Sequence, residues 1–298
     1  MKAYDSLFKL YKDQPLDKVF AHFYPIKNNN SSSPPDFDGP FKSIAEKTID
    51  GYDSWEFQQP RFKAKYSHIA VPKLKNYLNY TFVRLVELEQ RTTGYFLFDK
   101  DQEWVCFNTG LHNAFGADLL AVFQKYKPYT NSTQEIRPDW VYKGCYAPND
   151  HQYRAIFSTK VPDIAWYSND SSDYVFNTSY SLDKDAFDHL FERAKERAGL
   201  PNATDEVVRN YLRGTIENLV PKIRRNYKIA IPVYFVDEKR MQLLLPFGSA
   251  SSSSETSCFL VERDDINKTY HLKTIFDLDQ AYFSARLITR PDKEWLNP

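Results

Sequence analysis

The sequence predicts an α+β protein in which antiparallel hairpins pack with helices around one extended core. Three observations predict it. Several stretches place apolar residues at helical spacing. Others set two short apolar runs either side of a polar turn, as hairpins do. The two kinds of segment alternate without the regular βαβ rhythm of a doubly wound parallel sheet.

In residues 5–25, Leu7, Phe8, Leu10, Tyr11, Leu16, Val19, Phe20 and Phe23 form the apolar set of an expected amphipathic helix. Residues 28–35 are Asn, Ser and Pro only and read as a linker. Residues 1–40 are therefore expected to be an N-terminal helical appendage with its linker, and 41–298 the main α+β domain. A second helix is expected over residues 73–91, where Leu74, Leu78, Phe82, Leu85 and Leu88 recur at helical spacing. Residues 95–98 and 104–107 flank a polar centre and predict a hairpin. Asn108, Thr109 and Gly110 are expected to stop its second strand, and residues 114–126 to form a helix. Residues 127–180 are rich in Pro, Tyr and Trp and read as loops. Helices are expected over 182–198 and 205–220, with Gly199 and Pro201 ending the first and Pro221 the second. Residues 229–235 and 241–245 predict a second hairpin, 249–254 a serine-rich surface loop, and 258–261 with 270–275 a third strand pair. Residues 278–288 read as a closing helix ended by Pro291.

With 298 residues and 42% hydrophobic content, the chain can bury a large core, as one domain or two closely packed ones. Lys+Arg and Asp+Glu balance at 39 each, which leaves only a local basic patch as a route to nucleic acid. The longest apolar runs are of strand length, so no membrane partner is expected. The first residues lack the apolar stretch of a signal peptide, so the sequons at Asn131, Asn177 and Asn267 read as chance. Three cysteines do not make a disulfide framework, and a reducing, cytoplasmic location is expected.

One constellation carries phosphate chemistry. Lys222, Arg224, Arg225 and Lys228 fall within eight residues that contain no acid, beside Tyr227. Arginine grips phosphate with two parallel N–H donors, and tyrosine stacks on a base. The alternative is a solvated turn. Arg286 and Arg290 are four apart, with Tyr282 four before Arg286, and would share a face of the closing helix. The alternative there is salt bridging to Asp279 or Asp292. Arg84 lies on an apolar helix and needs a partner, either a structural carboxylate or a ligand. Asn108, Thr109 and Gly110 suit either a tight turn with an N-cap or an anion site at a helix start.

Cys106 and His112 repeat the spacing of Cys145 and His151, but paired zinc ligands normally stand closer, so no metal is expected. The acid pairs Asp264–Asp265 and Asp277 with Asp279 suit a divalent cation or, more simply, capping. His151 and His189 are isolated candidates for base catalysis. Nucleophile-elbow, phosphate-loop and dinucleotide-fold motifs are absent, and no cofactor is expected.

Five segments resemble, in order, one known family. They are YLNYTFVRL from Tyr77, CFNTGL from Cys106, RRNYKIAIP from Arg224, QLLLP from Gln242 and ARLITRPDKEWL from Ala285. Together they resemble the domain-of-unknown-function family numbered thirty-eight twenty-five, from about Lys73 to the C-terminus. That family's pattern has two asparagines where this chain has Phe283 and Ser284. The resemblance implies no activity. It extends to proteins that also carry small RNA-binding modules, which implies nucleic acid or nucleotide as ligand.

The expectation is therefore an RNA- or nucleotide-binding protein, or a component that processes nucleic acid. Its cations are Arg224, Arg225, Lys228, Arg286 and Arg290, with Tyr282 beside them, Asn108, Thr109 and Gln242 as polar readers and Arg84 as a further cation. The five cations are expected in one cleft, and Asn79, Thr81 and Arg84 beside Asn108. A scaffold presenting an aromatic surface, or an enzyme acting on a small metabolite, are the alternatives.

Overall fold

The apolar runs assemble into two mixed five-stranded sheets in a computed structural model of the chain, an α+β fold. The structure describes residues 2–24, 36–127, 137–183, 190–197, 200–236, 238–248 and 255–290. The linker at 28–35, the serine run at 249–254, His189, Asn131 and Asp292 lie outside the described residues. The chain divides into two units, Met1–Ala165 and Trp166–Pro298, with one sheet in each. No described helix is long and apolar enough to cross a membrane.

In the first unit the order along the chain is β1 (Ala21–His22), α1 (Gly39–Lys47), α2 (Pro60–Lys65), α3 (Pro72–Arg91), β2 (Phe96–Phe98), β3 (Trp104–His112), β4 (Asp118–Lys125), β5 (Trp140–Tyr146) and α4 (His151–Phe157). Strands β2 to β5 form an antiparallel meander, and β1 pairs in parallel with β5. Both faces of the meander are covered, because successive side chains of a strand alternate faces. Phe107 and Phe123 meet Phe82 of α3 and Phe20. Cys106, Leu120 and Val122 meet Tyr153 and Phe157 of α4.

Two expectations fail here. The described part of residues 5–25, up to Tyr24, is not a helix. Pro15 has no N–H to give and disfavours helical backbone before it. Only a 3-10 turn over Leu16–Lys18 follows it. Phe20 then packs against the rings of Tyr4, Phe82, Phe96, Phe123 and Trp140, and its segment is tied back by Phe20 N–H to Ser6 and Ala21 N–H to Leu7 carbonyls. Residues 114–126 are not a helix either, since β4 occupies Asp118–Lys125. An unbroken buried run fits either structure by pattern alone. The turn decides it: Asn113 Oδ1 accepts the N–H groups of Phe115 and Ala117, and Gly116 takes a φ of 76°.

In the second unit the order is β6 (Ser181–Leu182), α5 (Phe191–Arg197), α6 (Asp205–Arg225), β7 (Ile231–Phe235), β8 (Arg240–Gly248), β9 (Glu255–Asp264), β10 (Thr269–Asp277) and α7 (Leu278–Arg286). Leu182 belongs to β6 rather than to the start of a helix. Thr204 caps α6 by accepting the N–H of Val207. The helix runs past Pro221 to Arg225, because its stripe of Val208, Leu212, Ile216, Leu219 and Ile223 stays on the core to the last turn. Helices α5 and α6 cover the face of Leu243, Leu245, Phe247, Phe259 and Val261. Helix α7 covers the opposite face, on Ile231, Val233, Leu244, Cys258 and Leu260.

The two units share a topology. Each begins with a two-residue strand, continues through helices whose last is 20 or 21 residues long, and forms a four-stranded meander. The last strand of each meander pairs in parallel with the two-residue strand. A short helix then packs on the face away from the long one.

Candidate functional site

Burying Ile223 turns the neighbouring positions of α6 outward. Lys222, Arg224 and Arg225 are exposed in its last turn, and Tyr227 and Lys228 are exposed just beyond it. Tyr227 stands 65% exposed. Asn226 orders this corner: its backbone N–H bonds the carbonyl of Lys222 and its Oδ1 accepts the N–H of Lys228 at 3.1 Å. Arg224 donates to the carbonyl of Thr178 at 3.1 Å. The cations also complement the negative end of the helix dipole, which explains part of their placement without any ligand.

The closing helix is arranged otherwise than expected. It ends at Arg286, so Arg290 lies beyond it and shares no helical face with Arg286. Tyr282 and Arg286 fall on the buried stripe with Leu278, Ala281 and Ala285, and Asp279 is fully buried too. Arg197 of α5 pairs with the buried Asp277 at the helix start. Helices α6 and α7 flank opposite faces of the sheet, so Arg224 and Arg225 do not share a face with Arg286.

Asn108 and Thr109 lie inside β3, not at a strand end, and no helix follows them before β4. They form a bulge where the pairing with β4 shifts between Asn108 and His112. Asn108 Nδ2 donates to Asp118 at 3.0 Å and its Oδ1 accepts the N–H of Gly110 at 3.0 Å. Thr109 Oγ1 donates to the carbonyl of Leu119 at 2.6 Å. Tyr77 of α3 donates to the carbonyl of Thr109 at 2.9 Å, so α3 and the bulge do meet. Their polar groups nevertheless go to different partners. Asn79 accepts the N–H of Leu7, and buried Arg84 pairs with Glu87 at 3.3 Å, the structural carboxylate. Gln242 Nε2 donates to Glu238 at 3.0 Å, within a network that links Glu238 and Glu262 to Arg240 and Lys273.

Cys106, Cys145 and Cys258 are buried free thiols. Burial pushes the first two up to about 12, so they stay protonated at neutral pH. Among the described residues no three His, Cys, Asp or Glu side chains are grouped to hold a metal ion.

The first unit also contains a cavity of about 750 Å³ that the sequence did not signal. Asp38 and Lys42 of the α1 region, residues 52–53 and 56–58, Lys63 of α2 and residues 66–70 line it. These residues are scattered over 33 positions, from 38 to 70, and form no motif.

A family model described as a domain of unknown function (DUF3825) matches residues 47–295. The match begins ahead of the motifs at Tyr77, and takes in all of the cavity lining except Asp38 and Lys42. No curated protein and no solved structure matches the chain.

Proposed function

The chain belongs to that family, whose description assigns no activity, and from its own surfaces we propose that it is an RNA- or nucleotide-binding protein. The observation that carries this reading is the end of α6, where Lys222, Arg224, Arg225 and Tyr227 are exposed within six residues that contain no acid. Arginine and lysine there meet phosphates, and the ring of Tyr227 stacks on an unpaired base. With no net charge on the chain, attraction is local to this corner, which suits a short single-stranded segment better than a long duplex. The three thiols, buried and free, accord with a reducing, cytoplasmic setting.

Fluorescence polarisation with labelled single-stranded RNA at several salt concentrations tests this. Affinity should fall steeply with salt, and Arg225→Ala should lower the slope of log K against log salt by about 0.7 for one lost phosphate contact. Tyr227→Ala should cost about 1–3 kcal/mol without changing that slope. Salt-independent binding, or none at low salt, refutes the reading.

A further inference from the structure

We propose that the cavity beside the start of α3 is a second site, which binds a ribonucleoside monophosphate. It does not rest on the RNA reading. Its volume, about 750 Å³, is within the range of small-molecule sites.

The cavity is held in shape by two carboxylates. Asp38 takes the N–H of Ala70 at 3.0 Å on one oxygen and Lys75 Nζ at 2.5 Å on the other. Glu56 takes the N–H of Val71 at 2.7 Å. Val71 sits at φ 45°, ψ 51°, a left-handed conformation that a β-branched residue rarely adopts. Such strain persists only where the surroundings over-determine it, and here the N–H groups of Ala70 and of Val71 itself are both held. The result is a preformed wall at residues 69–71, which lowers the ordering cost of binding.

The chemistry of the lining selects the ligand. The lining rings of Phe57 and Tyr66 stand 5.4 Å apart, and Tyr66 is backed by Phe62, which does not itself line the cavity and stacks with it at 25°. A planar base fits an aromatic wall of this kind. Burial, helped by its hydrogen bond to Glu56, pushes the Tyr52 phenol up to about 12. It therefore stays protonated at any ordinary pH, its O–H donated to Glu56, and its oxygen is left as an acceptor. Glu56 and Asp53 accept from ribose hydroxyls, while Lys63, with His68 also in the lining, meets a phosphate. Asp38, Asp53 and Glu56 stand against Lys42 and Lys63. That near-balance gives no attraction for a polyanion but tolerates one phosphate group.

Isothermal titration of the full chain with AMP, GMP, CMP and UMP separately is the test. Saturable binding is expected for at least one. Its nucleoside should bind about tenfold more weakly, because the phosphate contact is lost. Lys63→Ala, at an exposed position, should weaken the nucleotide by a similar factor and leave the nucleoside unchanged. Tyr66→Phe should keep binding, whereas Tyr66→Ala, checked for folding by circular dichroism, should lose it. Absence of saturable binding by all four at millimolar concentration overturns the proposal. So does binding that Lys63→Ala leaves intact. Loss of nucleotide binding in Arg225→Ala, with Lys63→Ala unaffected, would move the site to α6 and overturn this assignment while sparing the RNA reading.

Discussion

Gly110 shows how one residue serves two elements. Its φ of 73° lies in the region that L side chains avoid, and a Cβ there would come within 2.8 Å of the Tyr77 hydroxyl. That hydroxyl is fixed by its bond to the carbonyl of Thr109. Gly110→Ala should therefore destabilise the first unit by about 2 kcal/mol, through backbone strain and displacement of the phenol. Adding Tyr77→Phe should cost less in this background than in the wild type, because it removes the clashing atom. A double-mutant cycle by urea unfolding measures this coupling, and strict additivity would refute it. The sequence took the glycine for a strand terminator, whereas it lies inside β3 at the bulge. Nothing in the sequence pointed to the residue that requires it, 33 positions earlier.

The turn between β9 and β10 is an element defined by one carboxylate. Asp264 Oδ1 accepts the N–H groups of Ile266 and Asn267, and Oδ2 accepts the side-chain amide of Asn267 at 2.7 Å and faces His271 at 3.3 Å. The backbone bond from Asn267, with the others, holds its pKa down to about 2. A depressed carboxylate contributes stability above its unfolded value, near 3.8, and loses it as pH falls through about 2. Acid unfolding of the second unit should steepen across that window, and Asp264→Asn should flatten that limb in a denaturation series run at each pH. An unchanged acid limb in the variant would contradict it. The sequence marked Asp264 and Asp265 as cation ligands or caps. The bonds it makes are those of a cap. Helix α6 was legible over residues 205–220, but not its passage through Pro221. That passage follows from Ile223 finding the core.

At the scale of the molecule, the buried clusters divide between the two units. Phe20 touches five rings of the first. Phe20→Ala should cost about 3–5 kcal/mol. Hydrogen exchange should show lost protection in β2 to β5 and unchanged protection in β7 to β10. Equal loss in both sheets would show that the cores unfold as one. The shared topology is also a property of this scale. The two halves carry different motifs, and nothing in the residues advertises that each builds a two-residue strand, a long helix and a meander in the same order.

The sequence alone determined α3, the hairpins β2–β3 and β7–β8, the pair β9–β10 and the body of α6. These depend on apolar spacing and turn residues within about 20 positions, where pattern is structure. It also determined that Arg84 needs a partner, since a cation on an apolar helix cannot be left bare; that the partner is the carboxylate of Glu87 came from the structure. Only the tertiary structure decided that residues 118–125 are a strand, because a run buried on both faces has no period to read. It alone decided which face each helix covers. That choice put Arg224 and Arg286 on helices at opposite faces of one sheet, and it brought Asp38, Glu56 and Tyr66 around one cavity. Convergence of distant side chains is set by packing over the whole unit, and no local spacing encodes it.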